Sequence, residues 1–74
     1  MPAMVILRVK TPGPETSRLL ARLEAELGVG AQPQTAGYVP LSLDKLDAGA
    51  ARERVIEVLD GADEDWRDHL ELRS

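Results

Sequence analysis

The sequence predicts a two-layer α+β sandwich, with two amphipathic helices laid on one face of a small mixed sheet in the order β-α-(β)-β-α-β. Three patterns predict it. Met4–Lys10 alternates at the period of a strand, and Pro14 or Glu15 to Leu27 repeats its leucines at the period of a helix. The same pair of signals then returns over Tyr38–Leu43 and about Asp47–Leu59.

In the first strand Val5, Leu7 and Val9 fall on one face and Ile6, Arg8 and Lys10 on the other. Both faces are apolar near its start, which suits the centre of a sheet. Pro12, Gly13 and Pro14 end it. Leu19, Leu20, Leu23 and Leu27 then make one helical stripe, with Pro14 suited to the first helical position and Gly28 to a left-handed C-cap. Gly28–Gly37 is a loop with room for a short extended piece. In Tyr38–Leu43, Val39, Leu41 and Leu43 share one face and Tyr38, Pro40 and Ser42 the other. Pro40 cannot donate to a ladder, so this strand belongs at an edge or a bulge.

The second helix has Asp44 or Asp47 as N-cap and Ala48, Ala51, Val55, Val58 and Leu59 as its buried stripe, and it stops at Asp60-Gly61. The tail reads as a turn or short helical turn over 62–66 followed by a last strand. There Leu70 and Leu72 face the helices, and Arg67, His69, Glu71 and Arg73 face away. The architecture resembles a reduced ferredoxin-like sandwich, and in architecture only, because such folds host many unrelated functions.

Length and composition bound the rest. Seventy-four residues are expected to form one small domain, 1–74, burying only about 60 % of the surface its unfolded chain exposes. With no cysteine, disulfide staples, thiol catalysis and cysteine-bound zinc are excluded. No apolar run approaches the roughly 20 residues of a membrane helix, and the apolar start stops at Arg8 without a basic leader, so a cytoplasmic protein off the membrane is expected. Abundant alanine, arginine, leucine and aspartate beside two lysines suggest a GC-rich bacterial genome. Net charge is −4 and unevenly spread. Residues 1–30 carry four cations against three acids, and residues 31–74 five cations against ten acids, a balance opposed to generic nucleic-acid binding.

No chemical motif survives inspection. The acidic tail fails the calcium-loop spacing from Asp60 and from Asp63 alike. A lone His69 cannot assemble a zinc site, and no carboxylate sits in an apolar run that would raise its pKa. Ser17, Ser42 and Ser74 lack a nucleophile elbow, and GVGA at 28–31 follows a helix rather than a strand, so no nucleotide cofactor is implied. Trp66 is the expected structural anchor, a large ring at the start of a strand in a chain without phenylalanine.

What remains is the sheet face away from the helices, with Ile6, Arg8, Lys10, Tyr38, Arg67, His69 and Arg73 as the candidate interaction surface. By elimination the expected function is a non-enzymatic protein–protein interaction module or adaptor, a homodimer through that face or through an edge strand. One alternative is nucleic-acid or anionic-ligand binding by Arg8, Lys10, Arg67 and Arg73, and a second is a small enzyme or enzyme subunit using His69.

Overall fold

The computed structural model describes residues 3–73. The strands are β1 (Ala3–Val9), β2 (Tyr38–Leu43) and β3 (Leu70–Leu72), and the helices are α1 (Pro14–Leu27) and α2 (Ala48–Ala62). The strands form one sheet in the order β2-β1-β3, with β1 in the centre, and both helices cover one face. The two-layer α+β fold expected from the sequence is the fold that forms.

Both pairings are antiparallel, so the sheet is antiparallel throughout rather than mixed. Arg8 near the end of β1 stands opposite Tyr38 at the start of β2. The chain therefore leaves that end of the sheet along α1 and must return to it through residues 28–37. β2 and β3 then flank β1 running in the same direction, joined by α2 as a split β-α-β unit. The optional strand within 29–37 does not form. Ala36 and Gly37 are consecutive left-handed residues (φ 62° and 76°), a backbone incompatible with extended pairing, and the Gln34 N–H bonds the Tyr38 carbonyl at 2.6 Å across the turn.

α1 begins with Pro14 at its first turn and ends at Gly28, whose φ of 67° closes the helix through a bond from its N–H to the Glu24 carbonyl. α2 starts at Asp47, whose carboxylate accepts from the Ala50 N–H at 2.8 Å. It does not stop at Asp60-Gly61. It continues through Gly61 to Ala62, and the Asp63 N–H bonds back to the Leu59 carbonyl. That extra turn keeps Asp60 on the helix, where its carboxylate accepts the Trp66 indole N–H at 2.6 Å.

The core lies between the layers. Val5 and Leu7 from β1, Val39, Leu41 and Leu43 from β2, Leu19, Leu20 and Leu23 from α1, and Ala51, Val55, Val58 and Leu59 from α2 are buried. Ala48, expected in the α2 stripe, is exposed at the first helical turn, and Leu27 and Leu72 are half-buried at the margins. Trp66 is the largest fully enclosed side chain, 1 % exposed. Among the described residues no buried side-chain polar atom lacks a partner.

Replacing Trp66 with alanine is expected to cost about 3–5 kcal/mol through lost burial and the cavity left behind, read as a lowered urea midpoint. Asp60→Ala leaves the buried indole N–H without its acceptor and is expected to cost about 1–3 kcal/mol, with near-native circular dichroism at low denaturant.

Candidate interaction surface

β1 makes the surface by simple alternation. Its odd residues enter the core and its even residues, Met4, Ile6 and Arg8, stand on the uncovered face. Register brings Met4 opposite Ser42 and Ile6 opposite Pro40, and it places Arg8 between Tyr38 on one side and Glu71 on the other. Two halves result. Met4, Ile6, Pro40 and Tyr38 make an apolar band along β1 and β2. Met4 is 57 % exposed and the other three are half-buried.

The second half is ionic. Glu71 on β3 receives Arg73 at 2.7 Å and Arg8 at 3.8 Å. The hydrogen bond from Arg73 is the main reason the Glu71 carboxyl lies below the usual carboxylate range. Partial desolvation opposes it, and the charges of Arg73, Arg8 and Lys10 reinforce it. The same bond raises Arg73 further above its already high value. Exposed pairs of this kind add little to stability, but they fix where the charges sit.

The remaining sequence candidates are placed elsewhere. Lys10 lies just beyond β1 and donates from Nζ to the Arg67 carbonyl at 2.9 Å. Arg67 is not on a strand. Trp66–Asp68 form a 3-10 turn, and the Arg67 guanidinium rests 4.3 Å from the centre of the Trp66 ring and 3.8 Å from Asp60. His69 has helical-region dihedrals (φ −108°, ψ −33°) and closes that turn through its N–H to Trp66, while its carbonyl accepts from Lys10 and Thr11. The aspartates build the turn: Asp63 Oδ1 accepts from the Asp65 N–H at 2.9 Å, a side chain standing in for a backbone turn. The final strand is therefore only three residues long. Alternation in HLELR overextends it, because the Asp-rich approach favours local turn bonds that a period-2 pattern does not register.

The four cations Arg8, Lys10, Arg67 and Arg73 thus do not form one open patch, since two are drawn to Glu71 and one to Trp66. Among the described residues no three His, Asp or Glu side chains converge as a metal site requires, and no helix is long and apolar enough to cross a membrane. Met4 and Pro40 were not among the sequence candidates, although their strand parity with Ile6 and Tyr38 was there to place them. Comparison with protein-family models, with curated proteins and with solved structures finds nothing that matches this chain.

Because the folded pKa of Glu71 is depressed, its contribution to stability is full above the unfolded carboxylate value of about 4.3 and is lost as pH falls through the lower folded value. Glu71→Gln is expected to be slightly less stable than the parent at neutral pH, where the charged carboxylate contributes, and to show no such acid-side loss, so that the two proteins converge below the folded value. Urea midpoints of both proteins from neutral pH down to below the folded value would show it.

Proposed function

We propose that this chain is a non-enzymatic protein–protein interaction module that self-associates through the uncovered face of its sheet. The observation that carries the proposal is the band of Met4, Ile6, Pro40 and Tyr38, left outside a sheet that has helices on one side only. Antiparallel sheets can keep one face in water, but such a face is usually polar outside its edges. Here its centre is apolar, and the Arg8–Glu71–Arg73 cluster lies beside it, an arrangement that matches the apolar core and polar rim of a protein interface. A second copy would cover the band by sheet-on-sheet packing, with the faces about 10 Å apart. It would also add buried surface to a chain whose own core is small.

The face is a better candidate than the β2 edge. Lys10 bonds His69 and Arg73 bonds Ile6, so the even residues of β1 bond β3 and the odd ones bond β2. Tyr38, Pro40 and Ser42 therefore direct their backbone groups away from the sheet. Of these, Pro40 has no N–H and the Tyr38 carbonyl is already taken by Gln34. That edge is blunted against strand pairing.

Sedimentation equilibrium over the micromolar range is expected to show a reversible dimer. Ile6→Glu and Met4→Glu, which place a carboxylate in the apolar band, are expected to weaken it at least about tenfold, roughly 1.4 kcal/mol, without changing the circular dichroism. A wild-type chain that remains monomeric to high micromolar concentration would refute the proposal.

A further inference from the structure

We infer that the groove between α2 and β3 binds a small organic phosphate, with the apolar body of the ligand on the groove floor and its phosphate held between Arg52 and Lys10. The site is separate from the Met4–Ile6 band and does not depend on self-association. Arg52 and Ile56 stand four residues apart on α2, so both side chains leave the helix on the same face. Together with residues of β3 and of the 3-10 turn they line an open groove of about 370 Å³. Small-ligand sites span roughly 300–1,000 Å³, so the groove suits a ligand at the small end of that range.

The floor is aliphatic. Ile56 and Leu72, both half-buried, supply the apolar surface a ligand can reach, and the fully enclosed Leu70 and Trp66 complete the lining. Trp66 offers no stacking face, because it is 1 % exposed and the Arg67 guanidinium already rests 4.3 Å from the ring centre. The body of the ligand therefore lies on Ile56 and Leu72, where covering it removes apolar area from water on both sides.

The charges around this floor do not cancel. Lys10, Arg52 and Arg67 line the groove with a single acid, Glu71, which Arg73 and Arg8 engage from outside it. Arg67 is matched by Asp60 at 3.8 Å. Arg52 and Lys10 are exposed and take part in no ion pair among the described residues, and Lys10 commits only one of its N–H donors, to the Arg67 carbonyl. Two positive charges are thus left over in a chain of net charge −4. A phosphate ester near neutral pH carries about −1.5 to −2, which matches them, whereas a carboxylate would match only one. The Arg52 guanidinium can present a fork to two phosphate oxygens, with the Lys10 ammonium as a point charge beside it. Two larger grooves lack this surplus. One sets Arg18 and Arg22 against Glu15 and Asp63, and the other Lys45 and Arg54 against Glu26 and Asp44.

Phenyl phosphate is the probe. Inorganic phosphate supplies the charge without the ring, phenol the ring without the charge, and benzoate the ring with one negative charge. Titrations followed by methyl and amide NMR are expected to show saturable binding of phenyl phosphate, with shifts centred on Ile56 and Leu72. Each of the other three should bind about tenfold more weakly. Arg52→Gln should weaken phenyl phosphate binding about tenfold in a chain still folded by circular dichroism. Arg18→Gln, at an exposed arginine of α1, should leave it unchanged. Ile6→Glu should also leave it unchanged, so a failed dimer and a failed groove site read out separately. Phenyl phosphate binding no tighter than any of the three controls, equal losses in Arg52→Gln and Arg18→Gln, or unmoved Ile56 and Leu72 signals up to the solubility limit would overturn the inference.

Discussion

Among the described residues β1 is the only strand with a neighbour on both sides, and strict alternation along its seven residues divides the molecule. Odd side chains enter the core while the same residues' backbone groups bond β2. Even side chains stand on the open face while their backbone groups bond β3. A slip of one residue in either pairing would exchange core for surface on a neighbouring strand, placing Tyr38 and Ser42 where Val39 and Leu41 now pack. The core composition therefore sets the register. Register in turn decides which residues meet on the open face and which backbone groups are left at each edge.

The second dependency is the corner where α2 hands over to β3. Trp66 must reach the core from a short connection, and its indole N–H cannot be buried without an acceptor. Asp60 supplies one only because α2 continues past it through Gly61, a residue that weakens a helix interior by about 1 kcal/mol relative to alanine. The single bond from Trp66 to Asp60 thus links helix length, turn conformation and the start of β3. It also explains Arg67. With the ring buried beneath it, the guanidinium has a π face 4.3 Å away and the Asp60 carboxylate 3.8 Å away, and it stands off the sheet surface.

Most of this fold was legible from local signals because most of its elements are locally consistent. α1 had its proline, its leucine stripe and its glycine cap. β2 kept its alternation around Pro40, and Asp47 capped α2 as its side chain suggests. The failures came where a tertiary bond overrode a local rule. Asp60-Gly61 reads as a helix stop until Trp66 needs Asp60 on the helix, and no pattern announces that Ala36 will adopt a left-handed conformation to return the chain to β2. The candidate surface was legible to the same degree. Strand parity correctly put Ile6, Arg8 and Tyr38 together, and it misplaced Arg67 and His69 because it ran the last strand back into an Asp-stabilised turn.

The two edges show how a small sheet can be open without being indiscriminate. A three-stranded sheet has two edges whatever its sequence, and each exposes a row of backbone groups able to template another strand. On β2 the row is interrupted by a missing donor at Pro40 and an occupied acceptor at Tyr38. On β3 the row is shorter still, because the strand is three residues long and Leu70 at its start is fully enclosed, which leaves only the half-buried Leu72 within reach. Hydrogen bonds across so short an edge would be too few to hold a partner alone, since each is worth only about 1 kcal/mol net.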